Sequence, residues 1–305
     1  MRGLIGFLAV AAMASSSAAA EDIVLEPNQK WVADYGENAC RLIRSFGEKD
    51  EPTVLIIRQT APTSDFSWTV AGPQVKRTRW HRPVTVQWGP QLDPYEVEFR
   101  EATLSTIGPA YISSGWSRGE EAPSNKTSKK ALRDLGEAQL ADGVEPVLAE
   151  VDTMVAAGID YVSFTQGRSR LVLQLSDFSA ALSALNTCSQ KLAEEWGFDK
   201  SYYKKVSSKP VWSNVGEVAR KIQQNYPSRA LFRGAQANFE MRIIVGPDEK
   251  PERCDWLNET EADAFDMKRT PCDFVVEGAE FEPALDQNDQ PIRSIFMTKV
   301  VYRMP

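Results

Sequence analysis

Between residues 21 and 113 the hydrophobic positions come in short apolar or alternating runs, at 31–35, 40–46, 54–57, 66–70, 84–88 and 95–99. Gly36-Glu37-Asn38 and the polar stretch 47–52 punctuate them. Runs of this length bounded by turn residues predict β-strands, and a spacing of about ten residues predicts antiparallel meanders. Residues 114–130 are polar and read equally as loop or element. Pro146 suits the first turn of a helix reaching Ala156, with Gly158 as its stop. Two more strands are expected at 161–165 and 171–175. The period then changes. Phe178, Ala181, Leu182, Leu185, Cys188 and Leu192 share one helical stripe, which predicts a helix packed on a core. Ser176 is its candidate N-cap, Asp177 suits the positive helix start, and Gly197 after Trp196 supplies the stop.

Residues 199–213 carry Lys200, Lys204, Lys205, Lys209 and Pro210 and read as a polar linker. Fully stretched it would reach about 50 Å. A second module follows. Residues 215–225 are helical in pattern, Tyr226-Pro227 breaks the helix, and 228–232 can restart one turn before Gly234. Phe239, Met241, Ile243 and Val245 then alternate with Asn238, Glu240 and Arg242, which predicts a half-buried strand. Gly246-Pro247-Asp248 turns the chain, and 252–257 can pair back as a hairpin. Thr270 can cap a helix with Pro271 at its first position and Gly278 at its end. Residues 286–290 read as a turn, and 293–303 as a long final strand. The expected class is α+β. A β-rich N-terminal domain with a capping helix spans 21–198. A linker covers 199–213. A small domain of order αββαβ, with a three-stranded antiparallel sheet and helices, spans 214–305.

Composition narrows the chemistry. The 305 residues are 42% hydrophobic and 25% charged, as in ordinary folded proteins. A net charge of −7 argues against a general nucleic-acid binder, which needs a basic footprint. The single histidine, His81, excludes a metal site built from histidines, and the four cysteines include no CxxC pair. No metal or other cofactor is expected. Arg2, an apolar core from Leu4 to Ala14 and Ala18-Ala19-Ala20 before Glu21 read as a secretory signal peptide cleaved near Ala20. No later stretch is apolar enough to span a bilayer, so no integral membrane segment is expected after cleavage.

An exported chain meets an oxidising compartment in which disulfides persist. Four cysteines allow three pairings. Position favours Cys40–Cys188 in the first module and Cys254–Cys272 in the second, with four free buried thiols as the alternative.

A set of residues in the second module carries a resemblance. Tyr226-Pro227-Ser228-Arg229-Ala230 is followed by Gly234, and the alternating strand ends in Val245-Gly246-Pro247-Asp248. Phe281-Glu282-Pro283-Ala284 then precedes Gln290-Pro291-Ile292 and an amphipathic last strand. In this order the residues resemble the C-terminal domain of TonB-type energy transducers, over about 216–304. The matching motif residues are Tyr226, Pro227, Ala230, Gly234, Phe281, Pro283 and Ala284. Glu249 stands where the family has a turn glycine, Asn288-Asp289-Gln290 replaces Asp-Gly-Lys, and Gln236 replaces another glycine.

The resemblance implies that the last strand grips a short peptide of an outer-membrane receptor at the periplasmic face. The candidate peptide-binding edge is Ser294, Phe296, Thr298, Val300 and Tyr302, with Tyr226-Pro227 as its neighbour. Transducers also carry an inner-membrane helix and a long Pro-rich spacer. Neither is read here, so the expectation is a periplasmic adaptor whose partner is a receptor peptide or other envelope protein. Residues 31–199 resemble an N-terminal region attached to this domain in some exported TonB-family proteins, through Asp34-Tyr35-Gly36-Glu37 before Cys40 and the helix ending at Trp196-Gly197. That likeness implies no activity.

Two competing expectations remain. An open strand edge is a liability that proteins usually cover, here by the first module or by a second copy in a homodimer. The other is an envelope hydrolase or polymer-binding protein built around His81. Its neighbours Lys76, Arg77, Arg79 and Arg82, with Trp80, could hold an anion. No serine or cysteine partner for His81 follows from spacing. No GxSxG, P-loop or GxGxxG is present, so an enzyme is not expected.

Overall fold

In the computed structural model, which describes residues 21–75, 83–97, 100–104, 107–114, 150–233, 237–257, 265 and 267–302, the alternating runs become strands. The expected leader, the cationic segment around His81, Pro146 and Gly234 lie outside these residues. The N-terminal module holds β1 (Glu21–Leu25), β2 (Val32–Tyr35), β3 (Cys40–Phe46), β4 (Thr53–Gln59), β5 (Ser67–Ala71), β6 (Val84–Trp88) and β7 (Tyr95–Val97). It continues with β8 (Arg100–Leu104), β9 (Gly108–Ser114), helix α1 (Thr153–Ala156), β10 (Tyr161–Gln166), β11 (Ser169–Gln174) and helix α2 (Phe178–Glu195).

These strands form a six-stranded sheet, β2-β3-β4-β5-β9-β8, and a five-stranded sheet, β1-β11-β10-β6-β7. The first begins as the expected meander. The second does not, because β1 pairs in parallel with β11 and β6 pairs with the distant β10. Strands β1, β8 and β9 carry no strong alternation and were not expected. The two sheets and α2 share one apolar core. Trp68 of β5 meets Phe164 of β10 at 5.1 Å, and Trp88 of β6 stacks on Phe178 of α2 at 5.8 Å. Gly72 leaves β5 at φ +148, and a Cβ there would lie 2.7 Å from the Thr53 backbone, so only glycine fits.

The stripe read from the sequence is the buried face of α2, with Phe178, Ala181, Leu182, Leu185, Cys188 and Leu192 inside. Its start departs from expectation. Asp177 is the N-cap residue, in the left-handed region at φ 58, and makes no side-chain cap bond. Ser176 is instead held by Arg44 of β3, whose Nη2 donates to the Ser176 hydroxyl at 2.8 Å and whose Nε donates to Gln29 O. The Cys40–Cys188 disulfide ties α2 to β3.

Residues 199–213 are not free chain, which corrects the linker reading. They form helix α3 (Lys200–Lys205), β12 (Val206–Ser208) and β13 (Val211–Trp212). Asp199 caps α3 by accepting from the Ser201 and Tyr202 amides. The C-terminal module adds α4 (Val215–Gln224), α5 (Ser228–Arg233), β14 (Ala237–Val245), β15 (Pro251–Trp256) and α6 (Pro271–Gly278). It closes with β16 (Phe281–Glu282), β17 (Ala284–Asp286), β18 (Pro291–Ile292) and β19 (Ser294–Tyr302). β12 pairs with β17, and β13 with β16, so the expected linker is stitched to the second module by short ladders. Polar composition hid this, because such ladders bond through the main chain and need few apolar side chains.

The main sheet of the second module is antiparallel and three-stranded, with order β15-β14-β19. Thr270 and Asp273 form a capping box at the start of α6, with Pro271 in the first turn. The β14–β15 turn places Glu249 in the left-handed region at φ 70, where glycine is the residue of lowest cost. Asp289 takes the same region at φ 57 in the later turn, which Asp tolerates better. Cys254 of β15 and Cys272 of α6 form the second disulfide.

Candidate functional site

Strand β19 pairs residue for residue with β14, from Ser294 opposite Val245 to Tyr302 opposite Ala237. Paired residues share a face, and side chains alternate between faces with period two. Ser294, Phe296, Thr298, Val300 and Tyr302 therefore lie on the face that carries Phe239, Met241, Ile243 and Val245. That face is the module's own core. Ser294, Thr298, Val300 and Tyr302 are buried, and Phe296 packs against the same cluster. The candidate edge residues are thus brought together, but their side chains point inward and none is displayed for a guest. Only the backbone margin of β19 can serve a partner. Among the described residues no strand pairs with β19 on its other side, so it forms one edge of the sheet.

An aromatic cluster anchors the C-terminal end of that edge. Tyr226 meets Tyr302 edge-on at 4.9 Å, and Phe239 and Phe265 lie 5.8 and 5.5 Å from Tyr302. The Tyr302 hydroxyl donates to the Met267 sulfur, and burial pushes its pKa well above the ordinary phenol range. The Tyr226-Pro227 break thus sits beside the end of β19. Ala230, Phe281 and Ala284 are buried in or beside this core and Pro283 is half-buried, so these motif residues are packing residues.

A half-buried β14 implies one open polar face, and that opposite face of the sheet is instead covered. Ile244 of β14 and Ile295 of β19 belong to the core of the N-terminal module, with Met297 packed against it. Arg58 of β4 donates to Glu240 at 2.9 Å and to Leu257 O at 2.6 Å, and Lys299 reaches Glu240 at 3.7 Å. Arg293 donates to Trp196 O at 2.7 Å and lies over the Phe198 ring at 4.9 Å. At the centre is Arg242, with no exposed surface. Its guanidinium stands 3.4 Å from the centroid of the Trp196 ring, bonds Asp255 twice at 2.6 and 2.9 Å, and reaches Asn38 Oδ1 at 3.3 Å. Burial lowers its pKa to about 10, against the opposing pull of Asp255, so it remains a cation at neutral pH. Alternation alone could not find this seam. The polar partners that Glu240 and Arg242 find across the seam, Arg58 and Asn38, lie about two hundred residues earlier in the chain.

The sheet is therefore covered on both faces, by its own helices and by the first module, and its β19 margin is the remaining surface on that strand. Among the described residues no group of His, Cys, Asp and Glu could hold a metal ion, and no helix is long and apolar enough to cross a membrane. No protein-family model, no curated protein and no solved structure matches the chain.

Proposed function

We propose that this protein is an exported protein-interaction module whose C-terminal sheet receives an extended peptide along β19, in the manner of the TonB C-terminal domains it resembles. The partner is a segment of an outer-membrane receptor or of another envelope protein. The observation that carries the reading is the position of β19 at the end of the sheet, paired with β14 alone among the described strands. An edge of this kind offers a row of main-chain groups to an added strand, which gives affinity without exposed side chains on the host. The two disulfides accord with an exported chain, since disulfides persist in an oxidising compartment.

The test is amide hydrogen exchange on the oxidised full chain, with and without synthetic peptides of periplasmic receptor segments. Protection gained in alternate amides of 294–302, with little change at β2 or β8, is the expected result. Peptides that bind but protect only other strands, or that do not bind at millimolar concentration, overturn the reading.

A further inference from the structure

Both disulfides converge on one buried cation. Arg242 is enclosed by Asp255, the Trp196 ring and Asn38. Each of these groups sits close in sequence or in structure to a half-cystine. Asp255 follows Cys254 on β15, Asn38 lies just before Cys40, and Trp196 caps α2, the helix that carries Cys188. The Cys40–Cys188 bridge thus fixes the ring and the amide relative to one another. The β14–β15 ladder sets Asp255 opposite Arg242, Arg253 pairs with it at 2.6 Å, and the Cys254–Cys272 bridge adds a tether from β15, an edge strand, to α6. The bridges differ in access. Cys40 and Cys188 are 0% and 4% exposed, whereas Cys254 is half-buried and Cys272 is 8% exposed. Thiol–disulfide exchange requires a thiolate to reach a sulfur, so the second bridge is the one a reductant meets.

We propose that Cys254–Cys272 is a redox-addressable latch on the seam between the two modules. Oxidised, it holds Asp255 against Arg242 and keeps the sheet seated on Trp196. Reduced, β15 loses its tether to α6, and only the ladder with β14 then holds Asp255 in place. Arg242 has no spare partner to take over, since its Nη1 is buried without a hydrogen bond among the described residues. A buried cation stripped of its carboxylate is strongly unfavourable, so the seam loosens. The reductant is a dithiol of the oxidoreductase class. One of its thiolates attacks a bridge sulfur, the S–S bond breaks, and a mixed disulfide forms. Its second thiol resolves that intermediate. Two electrons and two protons pass to Cys254 and Cys272, which leave as thiols, and the dithiol ends as a disulfide. The latch does not depend on whether β19 receives a peptide.

Amide exchange on the full chain tests it, comparing the oxidised protein, the same protein after mild dithiothreitol treatment, and the variant C254A/C272A. Mass after thiol labelling reports which bridge has opened. Exchange at β15 and at 196–198 should quicken at least about tenfold while β3 and β4 keep their protection. Asp255→Asn, which leaves both bridges intact and removes the counter-charge, should loosen the same segments. Unchanged protection at the seam with the bridge open overturns the latch. So does parallel loss of β3 and β4 protection, which would make the bridge a global staple. Should C254A/C272A not fold, the dithiothreitol-treated parent, with the opened bridge identified by mass, decides, and an unaltered seam in it overturns the proposal.

Discussion

Arg242 is worth most to this fold as half of a pair. Removing a guanidinium from water costs several kcal/mol, and Asp255 together with the Trp196 ring offsets that cost. The two partners should therefore respond differently to substitution. Asp255→Ala leaves the charge buried and should destabilise by about 3–5 kcal/mol in chemical denaturation. Arg242→Met leaves Asp255 with Arg253 as its remaining charge partner at 2.6 Å, so it should cost less than Asp255→Ala. Equal losses in the two variants would contradict this account of the seam. Glu249 is a second residue whose cost can be read directly. It holds φ 70, and its backbone oxygen accepts from Phe281 N at 3.1 Å, a bond that any residue can make. Glu249→Gly keeps that bond and relieves the Cβ clash of the left-handed region, so a gain of about 1 kcal/mol is expected in the same assay. The backbone turns here without a glycine, at a local cost.

Among the elements, the two disulfides close loops of very different size. Their half-cystines are 148 and 18 residues apart in sequence. Loop entropy alone makes the first worth about 5 kcal/mol and the second about 3, so thermal unfolding of Cys40→Ala/Cys188→Ala should show the larger loss. A smaller loss there would mean that the unfolded chain retains contacts between β3 and α2. Two tyrosines add an alkaline limit at the elements they join. Tyr202 of α3 packs edge-on against Phe198, and burial raises its hydroxyl to about 12, while Tyr302 of β19 is raised by burial and by Tyr226. Both bind their proton more tightly folded than unfolded. Their contribution is complete below the free phenol value of 10 and is lost as pH rises through the folded values. Arg242 has the opposite sign, since its folded pKa lies below 12.5 and stability from that group rises with pH between the two values. The denaturation midpoint of Tyr202→Phe should consequently fall less than that of the parent between about pH 10 and 12, and an identical slope would remove Tyr202 from the account.

At the scale of the whole molecule, the modules share a core, because Ile244 and Ile295 of the second are buried with the strands of the first. The segment 199–213 is paired at β12 and β13 and does not act as a tether. Calorimetry on the oxidised chain should accordingly show one cooperative transition, and two separated transitions would mean that the seam is weaker than its burial indicates. Much of this was legible in the pattern of residues. Short apolar or alternating runs gave β3, β4 and β6, strict alternation gave β14, the 3.6-residue stripe gave α2, and Thr270 with Pro271 gave the start of α6. Those features depend on neighbours along the chain, which a linear pattern records. The pairing of Cys40 with Cys188 was open to the same reading, because a cysteine on the buried stripe of α2 suits a bridge to a strand cysteine once the chain is taken as exported. Other features depended on residues far away. Arg242 reads as a solvent-facing charge until Asn38, 204 residues earlier, and Trp196 are brought against it. Strand β1 finds a parallel partner in β11 that no local signal specifies. The inward direction of Ser294, Phe296, Thr298, Val300 and Tyr302 follows from which face of β19 the helices cover. By itself the sequence determined the strongly patterned elements, such as β3, β14 and α2, and which face of β14 and α2 is apolar. The tertiary structure alone decided which polar faces are buried, because Asp255 offsets the charge of Arg242 within its own hairpin but only distant residues, Trp196 and Asn38 among them, exclude water from it.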